Sequence, residues 1–263
     1  MKAIALPLLA GTAALGGTVF ITQQQPRVIT PAVLHTLPHD SQAFTQGLVI
    51  HHGRLFESTG LYGYSKLREV ELTTGKVKRR TKLPENIFAE GLAQSGNDLV
   101  QLTWRNGFAR IVDRESFKQK GQFTYHGEGW GLTQDGTHLI LSDGSNVLRF
   151  LNPKTYQVER QLAVQTKDSL VTYLNELEYG HGYILANVWL TTRIAVIDPD
   201  TGFVERWIDL SKIAQEHLNS DKDNVLNGIV YNPADETLYV TGKRWNKAYL
   251  LSAKDVLPKP REE

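Results

Sequence analysis

Ten positions of this sequence fall in two aligned sets, and eight of them carry residue types that could do chemistry together. Gln46, Glu90, Trp130, Asn175 and Asn227 each precede a Gly-Leu pair or a close relative of one. In the first four cases a second residue follows 14 positions later (Gly60, Trp104, Gly144 and Trp189), and in the fifth Lys243 follows 16 positions later. Together they supply one carboxylate, one ammonium, three carboxamides and three indoles. A single carboxylate among aromatic walls is suited to general acid–base work. An ammonium can meet developing negative charge, and amides can orient a polar substrate. The competing interpretation is that Trp104, Trp130 and Trp189 are packing residues, the commoner fate of large aromatics.

Repeats must position these groups. Gln46-Gly47-Leu48, Glu90-Gly91-Leu92, Trp130-Gly131-Leu132, Asn175-Glu176-Leu177 and Asn227-Gly228-Ile229 recur at intervals of 44, 40, 45 and 52 residues. An apolar strand follows each, from Leu55-Phe56 in the first unit to Leu238-Tyr239-Val240 in the last. Then come a third strand and a turn such as Asn152-Pro153-Lys154-Thr155 or Asp198-Pro199-Asp200-Thr201-Gly202. Pro presets φ there and the Asx side chain bonds the backbone. A fourth strand, such as Val204–Leu210, closes four of the units.

The fifth unit lacks its fourth strand, and Val33-Leu34-His35-Thr36-Leu37-Pro38 supplies one from the other end. The expected fold is all-β: a five-bladed β-propeller of four-stranded antiparallel blades over residues 26–263, its ring closed by the N-terminal strand. An inner strand, a turn and a returning strand span the 14-residue offset, so both sets should ring one opening. A ring without a free sheet edge predicts a monomer.

Residues 1–25 read as a targeting element. Met1-Lys2 is followed by an apolar run over 3–21 and broken by Gln23-Gln24-Gln25-Pro26. The run predicts an exported protein, periplasmic or secreted, with the segment either cleaved as a leader or retained as a membrane anchor. The 52-residue interval holds Ser211–Leu218, a predicted amphipathic helix with Ser211 as N-cap, then the acidic stretch 219–224. That stretch lacks the glycine and distal glutamate of a calcium loop and reads as solvated.

Composition removes other classes. With no cysteine there is no disulfide framework, thiol nucleophile or cysteine metal site. A net charge of +1, from 29 basic and 28 acidic residues, argues against a nucleic-acid partner. The eight histidines show no metal-ligand spacing, and His51-His52 read as solvated. Glu128 and Glu176 lie near the rings and read as structural, bonding backbone N–H groups across blades.

Phe44-Thr45-Gln46-Gly47-Leu48, Phe88-Ala89-Glu90-Gly91-Leu92, Leu102-Thr103-Trp104, Gly129-Trp130-Gly131-Leu132, Asn175-Glu176-Leu177-Glu178, Ala186-Asn187-Val188-Trp189, Asn227-Gly228-Ile229 and Thr241-Gly242-Lys243 resemble the plant and bacterial glutaminyl-peptide cyclotransferases. The likeness runs from about residue 33 to 250, in order and in every unit. That family is a five-bladed propeller, distinct from the zinc-dependent animal cyclases. No His-Glu-x-x-His occurs here, and neither metal nor cofactor is expected.

The resemblance implies that Glu90 is the catalytic glutamate. It also implies that Phe44, Gln46, Phe88, Trp104, Trp130, Asn175, Trp189 and Lys243 line the substrate pocket. The implied substrates are peptides or proteins beginning with glutamine, converted to pyroglutamate with loss of ammonia. In such a reaction Lys243 or Asn175 would donate to the γ-carbonyl oxygen, while Gln46 and Asn227 would orient the carboxamide. Two other classes demand different residues. A non-catalytic peptide- or sugar-binding propeller would not need Glu90 and Lys243 in matching positions. A glycosidase would need a second carboxylate, and a metal-dependent lactonase a ring of acidic and amide ligands.

Overall fold

A computed structural model of the chain describes residues 24–218 and 221–261. The expected leader over 1–25 therefore falls almost wholly outside the described residues. Five sheets surround one axis. Their innermost strands are Thr45–His51, Ala89–Ser95, Leu132–Gln134, Leu174–Gly180 and Leu226–Asn232. Each of blades one to four then runs outward through three consecutive antiparallel strands. In blade five the outermost strand is Val33–Pro38, paired antiparallel with Lys247–Ser252, so the N-terminal strand does close the ring. One strand was not legible in the sequence: Arg27–Ile29 adds to the outside of blade four in parallel with Val204–Asp209.

Alternation places the core between blades. Leu185, Ile194, Val196 and Ile208 of blade four pack against Ile229, Leu238, Val240, Tyr249 and Leu251 of blade five. Equivalent apolar layers fill the other four junctions. The ring does not abolish sheet edges, because each blade keeps an outer strand. In blade one that strand is Val77–Lys82, with Lys78, Arg80 and Lys82 exposed, a charge pattern that discourages edge pairing.

The Gly of the repeat answers to close approach at the axis. A β-carbon on Gly91 would lie 2.5 Å from Leu132 N, and one on Gly131 only 1.9 Å from the Asn175 carbonyl oxygen. Blade four has Glu176 in place of this glycine. Its buried carboxylate accepts the backbone N–H groups of Leu48 (3.3 Å) and Ile229 (2.8 Å), in blades one and five. That is the structural role expected for it.

The helix in the long interval is shorter than expected, spanning Ser211–Gln215. Leu210, not Ser211, is its N-cap, and no side chain caps it. Asp209 Oδ1 instead accepts the Ser211 N–H at 3.0 Å, pulling Ser211 into the first turn.

A buried ionic cluster locks the closing seam. His39 directly follows the closing strand, and its Nδ1 donates to the Trp245 carbonyl at 2.7 Å while Nε2 meets Glu57 Oε1 at 3.3 Å. Glu57 also accepts from Thr45 Oγ1 at 2.8 Å and from Arg68 at 2.7 and 2.9 Å. Burial would raise the Glu57 pKa, but Arg68 and His39 outweigh it and hold the carboxyl at about 2. Burial would lower His39, but Glu57 outweighs it and raises the imidazole above 6.5. Glu57 therefore contributes stability above its ordinary value near 4.5, lost as pH falls toward 2. The His39 contribution is present below 6.5 and lost as pH rises through its raised folded value. Removing one partner of such a buried pair costs about 3–5 kcal/mol. We therefore expect Glu57→Gln to lower the melting temperature most between pH 4.5 and 6.5 and less on either side, as calorimetry across that range would show.

Candidate active site

The two sequence rings meet at one mouth of the propeller. Backbone N–H groups of Gly60, Trp104, Trp189 and Lys243 donate to the carbonyls of Phe44, Phe88, Tyr173 and Val225, at 2.8–2.9 Å. Each acceptor stands two residues before a first-ring position, so the offset of 14 or 16 residues is a closed hairpin end. In blades one, two, four and five the ladder register shifts across the ring residue. Such a bulge turns a side chain out of the pleat, here toward the axial opening. Blade three achieves the same by beginning its inner strand only at Leu132, after Trp130-Gly131.

A cavity of about 340 Å³ results. Phe44, Gln46, Phe88, Glu90, Trp104, Trp130, Asn175, Trp189 and Lys243 all line it. Phe44, Phe88 and Trp104 form one wall, with successive ring centroids 5.9 and 5.4 Å apart. Trp130 and Trp189 form a second aromatic pair, edge to face at 5.6 Å. Where the second ring carries glycine, the space is taken by these aromatics: a β-carbon on Gly60 would fall 2.3 Å from Phe88 and one on Gly144 2.8 Å from Trp130.

Asn227 is the one predicted site residue that does not line the cavity. It is wholly buried behind Gln46, donating from Nδ2 to Gln46 Oε1 at 3.0 Å and to the Thr45 carbonyl at 2.9 Å. Because Gln46 Oε1 is an acceptor in that bond, Gln46 Nε2 is the end that donates to Glu90 Oε1, at 2.9 Å. Asn227 thus orients Gln46, and Gln46 orients Glu90.

Glu90 is 5% exposed, and burial lifts its pKa well above the usual carboxylate range; Lys243 opposes the rise and Glu128 adds to it. Lys243 is equally buried, which lowers its pKa against the opposing pull of Glu90 and Asp223. Its Nζ lies 4.9 Å from the Phe44 ring centroid, over the ring face. Asn175 leaves its buried Oδ1 without a hydrogen-bond partner. An acid, a desolvated amine and an unpaired acceptor therefore converge between aromatic walls. The set can take a proton from one bound group, give it to another and bond a polarised carbonyl.

Two lining residues escaped sequence reasoning. Leu61 follows a ring glycine and Asp223 sits in the acidic stretch between repeats, so neither occupies a repeated position. Glu128 does not line the cavity, and where backbone N–H groups were expected as its partners it accepts from side chains: Trp104 Nε1 and Trp130 Nε1 on Oε2 and Arg105 Nε on Oε1. A signal for it existed: it stands two residues before Trp130, where the first two blades have Phe44 and Phe88.

Burying Glu90 lowers stability once it ionises. Its folded pKa is raised, so stability is highest below its ordinary value near 4.5 and declines as pH rises through the folded value. Glu90→Gln keeps an acceptor for Gln46 and carries no charge. We expect it to melt about 2–6 °C above the unsubstituted protein at pH 8, with the gap closing at pH 4, when both are compared by calorimetry.

Comparison with known proteins places this geometry. Residues 3–253 match the model of a family described as glutamine cyclotransferase. A glutaminyl-peptide cyclotransferase of Arabidopsis thaliana is 40% identical over 231 residues, covering 86% of this chain and 72% of the relative. The crystal structure of Myxococcus xanthus glutaminyl cyclase superposes with a TM-score of 0.81 at 35% identity, covering 86% of this chain and 97% of that one. The propeller domain of Cps50 (Swd1) from Myceliophteria thermophila, at 10% identity and a TM-score of 0.51 over 84% of this chain and 99% of that one, shares the fold alone.

Proposed function

Since the chain belongs to the glutamine cyclotransferase family of enzymes, we propose that it cyclises N-terminal glutamine of peptides or proteins to pyroglutamate, with Glu90 as the single proton shuttle. The observation that carries this reading is the buried Glu90 carboxyl, oriented by Gln46 and facing Lys243 and Asn175 inside one aromatic cavity.

The substrate holds its own nucleophile and electrophile, so the protein's task is to fold the chain back and move protons. The aromatic lining of Phe44, Phe88, Trp104, Trp130 and Trp189 confines the glutamine side chain. Its α-amine attacks the γ-carboxamide carbon, forming the ring C–N bond. Glu90 accepts the proton that this nitrogen sheds. As the bond to the former amide nitrogen breaks, Glu90 returns the proton and ammonia leaves. A raised pKa makes Glu90 a stronger base before the transfer and suits it to both halves of the exchange.

The Lys243 ammonium donates to the γ-carbonyl oxygen as negative charge gathers there. The unpartnered Asn175 Oδ1 favours acceptance from a substrate N–H, a different role from the donation expected on sequence. Gln46 bonds Glu90 and is held by Asn227, so it orients the catalytic acid and not the substrate carboxamide. In this reading the proton and charge steps fall to Glu90 and Lys243, which makes the reaction metal-independent.

The apolar run over residues 3–21 supports export, either with that segment cleaved or with it kept as an anchor. Among the described residues no helix is long and apolar enough to cross a membrane.

The test is release of ammonia from a glutamine-initiated peptide. Glu90→Gln should lower kcat by about 10²–10⁴ with a small change in KM, and a chelator should leave the unsubstituted rate unchanged. An undiminished rate in Glu90→Gln would end its role as shuttle.

A further inference from the structure

Position by position, the residue two before each first-ring position is Phe44, Phe88, Glu128, Tyr173 and Val225. In four blades this place is aromatic or apolar, and in blade three it is a carboxylate. One oxygen of that carboxylate, Oε2, accepts two indole N–H groups at once, from Trp104 at 2.8 Å and Trp130 at 2.9 Å. Those indoles come from the adjacent blades two and three, and both line the cavity. The other oxygen, Oε1, accepts from Arg105 Nε at 2.9 Å, while the Arg105 guanidinium lies 3.8 Å above the Trp104 ring centroid.

The segment bearing Glu128 is itself tied down. Arg149 donates to the carbonyls of His126 (2.6 Å) and Glu128 (3.2 Å), and the Gly129 N–H donates to the Trp104 carbonyl at 3.0 Å. An indole has one N–H and no acceptor, so each ring can direct only one hydrogen bond. Here both rings direct it to the same atom.

We propose that Glu128 is a positioning residue for the cyclisation, a clamp whose carboxylate fixes the neighbouring indoles of Trp104 and Trp130 to each other and so sets the shape of the pocket where blades two and three meet. The proposal rests on the cyclase reading for its kinetic consequences and on geometry alone for the clamp. Glu128 does not line the cavity, so it acts through the two indoles.

Its charge has a second effect. The two indole donors and Arg105 outweigh desolvation and hold the Glu128 pKa below the ordinary carboxylate range, so it stays ionised. The groups bearing on Glu90 are Lys243, which lowers its pKa, and Glu128, which raises it; the Tyr125 phenol senses Glu90 in turn, and Asp223 bears on Lys243. Removing the Glu128 charge should therefore ease ionisation of Glu90, and the Arg105 charge left behind acts in the same direction.

Two substitutions separate clamp from charge. Glu128→Gln keeps an oxygen acceptor and loses the charge; Glu128→Ala loses both. Glu128→Ala should raise KM about tenfold or more, lower kcat, and change the near-ultraviolet circular dichroism of the tryptophans while the far-ultraviolet spectrum stays that of a folded propeller. Glu128→Gln should raise KM much less, keep most of the near-ultraviolet signal, and move the acid limb of the kcat–pH profile at least half a unit to lower pH. The shift in that limb is a readout that lost packing alone would not produce.

A folded Glu128→Ala protein with unchanged KM and unchanged near-ultraviolet dichroism would overturn the clamp. An unmoved acid limb in Glu128→Gln would overturn the electrostatic effect. If Glu128→Ala fails to fold, Glu128→Leu, which fills the same space and offers no acceptor, takes its place with the same KM and dichroism outcomes. A protein with no cyclase activity in any form would defeat the cyclase reading, and the dichroism comparison would still decide the clamp.

Discussion

Five hydrogen bonds between neighbouring blades, all at the level of the ring residues, are what the rest of this molecule depends on. Ser58 Oγ donates to the Glu90 carbonyl at 2.5 Å, the Gly91 N–H to the Trp130 carbonyl at 2.7 Å, and Ser142 Oγ to the Asn175 carbonyl at 2.6 Å. The belt is completed by the Gly228 N–H on Asn187 Oδ1 and by Asn227 Nδ2 on the Thr45 carbonyl, both at 2.9 Å. Bulged inner strands leave backbone groups outside their own ladders, and unpaired buried groups of this kind are expensive. The belt satisfies them across the blade junctions. The same bulges that aim the ring side chains into the pocket thus supply the groups that join the blades.

This coupling explains why the repeat is x-Gly-Leu. Strands can bond across the axis only if they come close, and Gly91 and Gly131 allow it because a β-carbon at either would overlap the next blade. The exception in blade four is consistent with the rule. Glu176 spans the axis with its carboxylate and bonds the N–H groups of blades one and five, the pair whose seam is closed by strands far apart in sequence. Burial raises the Glu176 pKa well above the ordinary range, a sign that the site favours a neutral acid there. His39, Glu57 and Arg68 then lock the outer part of the same seam with charge. Axial and peripheral contacts share the closure because blade five is completed only by strand pairing, of Val33–Pro38 with Lys247–Ser252.

The parts legible in the sequence were those the repeat encodes. Spacing gave the blades, and the 14-residue offset gave the shared mouth, because both are periodic properties of the chain. Arg27–Ile29 escaped because a short parallel strand on an outer edge has no partner in the repeat. The expected cap differs because Ser211 is already inside the first turn, its own N–H held by Asp209 Oδ1, so Leu210 takes the capping position. Asn227 occupies a ring position but points behind Gln46, since Thr45 O and Gln46 Oε1 offer it two acceptors there. Repeat position fixes where a backbone goes; where the side chain ends is decided by the acceptors it meets, and those lie on other blades.

Electrostatics follows the same division between what the ring imposes and what local partners adjust. Closing the cavity with five aromatic rings strips water from Glu90 and Lys243 together. Desolvation raises the acid and lowers the amine, moving both toward neutrality from opposite sides, while their mutual attraction resists the shift in each. A proton on Glu90 is then held more tightly than on a carboxylate in water, which suits the group both to take a proton from one nitrogen and to return it to another. Gln46 bonds one oxygen of Glu90 through a neutral amide N–H. A cation in that place would pull the acid back toward its ordinary strength, whereas the amide fixes the direction of the carboxyl and leaves its basicity to the aromatic walls.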